Sequence, residues 1–414
     1  MKKYLEKIKN LNLTKKIKDL SLSKKIIYSC VLAVVIVSVA LVCTVNAYMD
    51  RINFIDEKFE YITDESLQEE LDVGELVSFD EPDTKNSTED TSYYEEIVSK
   101  YTQESTEEVT LPEFEFKEGI TNILLIGADR QGTNGYGRSD TIMILTLDTN
   151  EKTIKLSSVL RDCYVTIPGY SQNKINASYA FGGPDLLIET LEANFGIKLD
   201  KYVYIDFEDF TNIIETLGGV DMELTAKETS VIWGFSEAGI YHLNSKEALH
   251  YVRIRKIDSD FGRTDRQRKL MMSIYNEFKA KPLTELVPIA TEIFQYVNTN
   301  MTKTEILDLL STAVTLGDLE IKTQAIPEDK TYVFGRTSAG ASIIVVDFEQ
   351  NSKILYEFIY GEPYEEKIQE EAETLENEIL ENTEEYSEYA TDINENNNLV
   401  FPTEEGTIED NTQE

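Results

Sequence analysis

The sequence predicts an α/β domain, a mixed central β-sheet flanked by helices, behind an N-terminal transmembrane helix. Three observations predict it. Between residues 117 and 361, short apolar runs alternate with segments of helical periodicity, the pattern of a layered α/β domain. Residues 26–45 carry no charge at all. The acidity of the chain lies mostly outside its middle.

The elements follow in order. Residues 1–25 hold nine Lys against Glu6 and Asp19, a basic tail. Residues 26–45, IIYSCVLAVVIVSVALVCTV, are long enough to cross a ~30 Å hydrocarbon core as a helix. A cleavable signal would have a shorter apolar region and a small-residue cleavage site, so 26–48 is expected to be an uncleaved anchor. Lysines precede it and acids follow it, which puts the N-terminus in the cytoplasm and the rest outside the cell, on the cell membrane. Residues 49–116 are expected as an acidic extracytoplasmic linker, with 50–75 continuing the helix of the span. Within 117–361, strands are expected at 120–126, 140–147, 153–159, 202–207, 320–326 and 342–347. Helices are expected at 185–194, 209–217, 245–251, 263–279, 282–296 and 303–315. Asn244 reads as an N-cap, and Gly196, Gly218 and Gly219 as stops. Residues 362–414 hold 19 acids against Lys367 alone and are expected to be a solvated, disordered tail.

Several function classes are excluded. The formal net charge is −38, without the basic face of a nucleic-acid binder. One thiol, Cys163, in the middle of the chain allows no internal disulfide there. Two His argue against a zinc centre or a Ser–His–Asp triad. No GxxxxGK[ST] loop occurs, and no ATP would be met outside the cell.

Arginine placement is the informative signal. Of 39 basic residues only 10 are Arg, and five of these fall within residues 253–268. Arg130, Arg138 and Arg161 follow two strand ends, where open α/β sheets bind ligands. Arg forms bidentate grips on phosphate or carboxylate that Lys does not, so the cluster points to an oxyanion site. The competing reading is a set of ion pairs with Asp258, Asp260 and Asp265. Arg263, Arg266 and Gln267 fall on one side of a helix, near its anion-favouring N-terminus. Arg253 and Arg255 share a face if the backbone is extended. Asp129 and Asp140, at neighbouring strand ends, could share a hard divalent cation such as Mg2+; equally, each could cap a turn or pair with an arginine.

Four segments then carry a resemblance: GADRQGTNGYGRSDTIMIL (127–145), SSVLRDCYV (157–165), KINASYAFGG (174–183) and YVRIRKIDSDFGRTDRQRKL (251–270). Together, and in this order behind an anchor, they resemble the LytR-CpsA-Psr family over about residues 118–282. The resemblance implies transfer of a glycopolymer (wall teichoic acid, capsule or another wall polymer) from an undecaprenyl-pyrophosphate carrier to peptidoglycan, with pyrophosphatase as a side activity. It implies Mg2+ at Asp129 and Asp140, and pyrophosphate held by Arg138, Arg161, Arg253, Arg255, Arg263 and Gln267. Arg138, Asp260 and Arg263 would be catalytic, with Asp260 positioning the arginines or taking the acceptor proton. The implied partners are the lipid-linked glycopolymer, peptidoglycan and membrane lipid. A hydrophobic tunnel would hold the polyprenyl chain, with 184–194 and 270–296 as possible walls. The chain departs from the family pattern at Arg268, where Gln is usual, and at Leu160, where Pro is usual. The acidic tail has no counterpart in that pattern. The alternative is a membrane-bound regulator or sensor that binds polyprenyl phosphates without turnover; about 25 cytoplasmic residues are too few for a DNA-binding domain.

Overall fold

The computed structural model describes residues 47, 49–56, 58–80, 92–102, 116–128, 137–316 and 319–364. The expected span at 26–45, Asp129 and the chain beyond 364 lie outside the described residues. Among the described residues no helix is long and apolar enough to cross a membrane.

The apolar run Ile120–Ala128 is a central strand. It pairs antiparallel with Ser139–Asp148 and parallel with Lys201–Asp206. Ser139–Asp148 pairs antiparallel with Thr153–Val159, which takes Glu320–Ile326 in parallel. On the far side, Asn298–Thr299 pairs antiparallel with Lys201–Asp206 and parallel with Asn53–Phe54. The seven-stranded sheet is therefore mixed, as the alternation of strand and helix signals predicts.

Because side chains alternate across a strand, the sheet serves two environments. Leu124, Ile126, Ile142 and Ile144 join the main core with the helices Ile175–Phe195 and Phe348–Tyr360. Leu125, Met143 and Val203 face the opposite side, under the helices Phe207–Leu217, Ser245–Val252 and Asp260–Ala280. Asn244 caps the second of these as expected, its side chain accepting from the Lys246 and Glu247 amides. Gly218 ends the first at φ 94°.

Ile175–Phe195 starts ten residues before the expected helix because two helical pieces meet at Gly182-Gly183-Pro184. Gly183 has φ +64°, and a Cβ there would fall 2.6 Å from the Phe59 ring. Leu186, Leu187 and Leu191 lie in the main core. The 184–194 face, offered as a tunnel wall, is therefore core packing.

The stretch 49–116, expected as a linker, is in part built into the domain, and no helix continues through 50–75. Asn53–Phe54 joins the sheet, and Phe59, Tyr61, Ile62 and Leu71 pack on the core. Leu76–Phe79 pairs with Tyr332–Thr337. The helix Ser92–Thr102, inside the expected linker, buries Ile97 against Ile343 and Val345. Its acids stay outward while scattered apolar residues anchor it, so composition alone misreads it.

Candidate active site

The helix Asp260–Ala280 organises the site. Arg263 and Gln267 are one turn apart, followed on the same side by Leu270, Met271, Ile274 and Phe278. This stripe runs roughly 22 Å at 1.5 Å per residue, polar at its N-terminal end and apolar beyond. It forms one wall of a cavity of about 300 Å³. Leu125, Met143, Val203 and Ile205 of the sheet, with Phe207 and Phe210, form others. Asp140, Thr141, Asp206, Arg253, Arg255, Arg263 and Gln267 are the polar residues that line it.

The charged groups form a network. Arg161 Nη1 donates to Asp140 Oδ1, and Arg161 Nε lies 3.5 Å from Asp162 and 3.6 Å from Asp260. Arg263 Nη2 pairs with Asp260, and Arg255 Nη2 lies 3.5 Å from the second oxygen of Asp140. Lys174 Nζ completes the set, 2.7 Å from Asp162. Arg253 stacks on Phe207, its Cζ 4.3 Å from the ring centroid. Arg138 donates to the Leu71 carbonyl at 3.3 Å and feels Asp162, Asp140 and Arg161 electrostatically. Asp260 Oδ2, Arg161 Nε and Arg263 Nε are buried without a hydrogen-bond partner.

Burial sets the proton affinities here. It pushes the Asp260 carboxyl above its usual range, against the pull of Arg263 and Arg161. It lowers Arg263, which Asp260 offsets only in part. It also lowers Arg138. Burial opposes charge on Arg161 too, but Asp260, Asp162 and Asp140 outweigh it and hold that guanidinium above its usual range.

The sequence-predicted set is thus mostly brought together. Arg253, Arg255, Arg263, Gln267 and Asp140 share the cavity, while Arg161, Arg138 and Asp260 stand just behind it. The ion-pair reading holds for other members: Arg266 is buried on Asp258, at 2.6 and 3.0 Å, and on the Ile254 carbonyl. Arg268 pairs with Asp265 at 3.3 Å. Arg266 therefore leaves the side it was expected to share with Arg263. Asp140 likewise pairs with two arginines. Arg253 reaches the site from a helix C-cap rather than an extended strand. Phe207, Lys174 and the Leu71 carbonyl were not foreseen; only Asp162, adjacent to Arg161, had a sequence signal.

Among the described residues no group of three or more His, Cys, Asp or Glu could hold a metal. Asp140 offers hard oxygen donors at the cavity, of the type Mg2+ takes, and Asp129, its expected partner, is outside the described residues.

With that geometry established, comparison with known proteins is informative. A family model described as LytR_cpsA_psr family matches residues 86–358. Regulatory protein MsrR of Staphylococcus aureus (strain COL) is 32% identical over 246 residues, covering 58% of this chain and 75% of MsrR. The polyisoprenyl-teichoic acid–peptidoglycan teichoic acid transferase TagV of Bacillus subtilis (strain 168) is 36% identical over 210 residues, 47% of this chain and 53% of TagV. The crystal structure of B. subtilis TagV matches with a TM-score of 0.50 at 32% identity, covering 59% of this chain and 98% of that one. The structure of TagT bound to LIIa-WTA matches with a TM-score of 0.50 at 26% identity, covering 59% and 94%. A match to the family model over more than half its length, with an apolar cavity crowned by arginines at the matching motifs, means that this chain belongs to the LytR_cpsA_psr family.

Proposed function

We propose that the protein is a membrane-anchored phosphotransferase, acting outside the cell, that moves a glycopolymer from an undecaprenyl-pyrophosphate carrier to peptidoglycan. The observation that carries this reading is the stripe on Asp260–Ala280. Arg263 and Gln267 lead into Leu270, Met271, Ile274 and Phe278, a profile complementary to an anionic head on a long apolar tail. The teichoic acid transferase relatives support it. The polyprenyl chain occupies the cavity, and Arg138, Arg161, Arg253, Arg255, Arg263 and Gln267 hold the pyrophosphate. An acceptor sugar hydroxyl bonds to the phosphorus that carries the polymer, the bridging P–O bond breaks, and polyprenyl phosphate leaves with the electron pair. The arginines stabilise charge spreading over the phosphoryl oxygens. Asp260, with its raised pKa and unpaired Oδ2, receives the acceptor proton. Water in place of the sugar would give pyrophosphatase activity. Mg2+ bound by Asp140 with Asp129 would supply further neutralisation of phosphate charge.

The test is transfer by purified protein from a polyprenyl-pyrophosphate-linked glycan to peptidoglycan. Arg263→Ala and Asp260→Asn should each lower the rate about a hundredfold or more, with circular dichroism unchanged. Full activity in both variants would refute the assignment. The similarity to a protein named regulatory, MsrR, keeps a second reading in play, a sensor that binds carrier without turnover. Release of polyprenyl phosphate by the parent protein excludes it.

A further inference from the structure

The strand Tyr332–Thr337 carries a row of rings that ends at the reacting groups. Its side chains alternate: Val333 joins Ile97 and Val345 in a small core, while Tyr332, Phe334 and Arg336 point the other way. On that outer face Phe261 stacks on Tyr332, ring centroids 4.9 Å apart, and Tyr332 meets Phe334 edge to face at 5.5 Å. Phe261 directly follows Asp260 in the first turn of the helix Asp260–Ala280. The row therefore runs from Asp260 through three rings to Arg336. Burial falls along it: Phe261 and Tyr332 are half-buried, whereas Phe334 is 42% exposed. Polar groups surround the open ring. The Phe334 carbonyl accepts from the Asp80 amide at 2.8 Å, and Arg336 lies 3.3 Å from the exposed Asp80 carboxylate. Ser78 and Ser342 sit opposite Arg336 on the two neighbouring strands, both exposed.

This arrangement suits a sugar, which is apolar on its C–H faces and polar at its hydroxyl rim. An aromatic face covers the first, and a charged pair with hydroxyls serves the second. A protein partner would need a far larger contact, about 800 Å² on each side. The side of the helix on which the rings stand says which sugar. Phe261 and Arg263 are two residues apart, about 200° around the axis, so the rings face away from the wall that takes the carrier. In phosphoryl transfer the attacking and leaving oxygens lie in line. With the carrier leaving toward the cavity, the acceptor arrives from the side of Phe261. We infer that Phe261, Tyr332, Phe334 and Arg336 form the docking track of the acceptor glycan strand, Phe334 stacking on a sugar ring while Arg336 and Asp80 bond its hydroxyls and direct the strand toward Asp260. That this glycan is the acceptor rests on the proposed transfer reaction; that the row binds a glycan strand does not.

The full-length protein would be compared with Phe334→Ala, Phe334→Trp and Arg336→Gln, each checked for an unchanged melting temperature. The probe is a lipid-free peptidoglycan glycan strand stripped of its stem peptides, titrated by calorimetry. Phe334→Ala should weaken its binding about three- to tenfold, and Phe334→Trp should restore it. Arg336→Gln, at a more exposed side chain, should weaken it about two- to tenfold and carries the test if Phe334→Ala fails to fold. In the transfer assay KM for the acceptor should rise by the same factors, with KM for the donor unmoved. No binding by the parent, or equal binding by parent, Phe334→Ala and Arg336→Gln, overturns the inference. So does a rise in the donor's KM alone, which would assign the row to the transferred polymer. Glycan binding that the variants lose supports the inference even where no transfer occurs. Transfer with an unchanged acceptor KM sinks the inference and leaves the proposed function standing.

Discussion

Arg161 shows how one side chain can hold a site in readiness. Its guanidinium faces Asp140, Asp162 and Asp260, so three carboxylates that would repel one another share a cation. Gln267 and Arg266 show the limit of reading a helix from spacing. Residues three and four positions after Arg263 both fall on its side, yet Gln267 lines the cavity while Arg266 turns inward to Asp258. Position on a helical wheel does not reveal which neighbour offers a buried acceptor. His242 gives a pH prediction away from the site. Asp221, at 2.6 Å, and the Gly218 carbonyl, at 2.8 Å, lie against its two ring nitrogens and hold its pKa above the ordinary 6.5. The folded ring then binds its proton more tightly than the unfolded one. Its contribution to stability is complete below pH 6.5 and is lost as pH rises through the folded value. His242→Gln should therefore destabilise the protein more at about pH 5.5 than at about pH 9. An NMR midpoint for His242 at or below its ordinary value would contradict this.

At the scale of elements, the turn 253–259 depends on Arg266. That residue is 2% exposed and binds Asp258 and the Ile254 carbonyl, fixing the segment that carries Arg253 and Arg255. Arg266→Met should cost about 2–4 kcal/mol in urea unfolding and, on the proposed function, raise KM for the carrier. A loss below about 0.5 kcal/mol would mean that the turn holds its shape without it. The strands at 120–128, 139–148 and 153–159 were legible because each is an apolar run bounded by turn residues. The hairpin Val220–Leu224 with Gly239–Leu243 was not: its first strand alternates with acids and the connection to the second is long. Tyr332–Thr337 was also missed, since Gly335 and Arg336 interrupt its pattern.

At the scale of the molecule, the largest gap between sequence and structure is the segment before residue 117. An acidic composition hid the fact that Phe59, Tyr61, Ile62 and Leu71 cover the main core. The same segment supplies the carbonyl that holds Arg138. A protein begun at residue 117 should expose this apolar surface, bind a hydrophobic dye and melt well below the parent. A truncated form with an unchanged melting temperature would show the segment to be dispensable. The arginines gathered at the cavity, by contrast, were legible from counting, because the chain otherwise uses lysine for its cationic charge.

The burial of Met49, 1% exposed beside Met301 and Ile306, bears on how far the folded body can stand from the proposed membrane span. If residues 26–45 cross the membrane as proposed, almost no slack chain separates the lipid from the folded body. The folded body is then held close to the headgroups by a junction of only residues 46–48. If the acceptor is peptidoglycan as proposed, lengthening the junction at residues 46–48 should alter the depth of wall within reach without touching the chemistry.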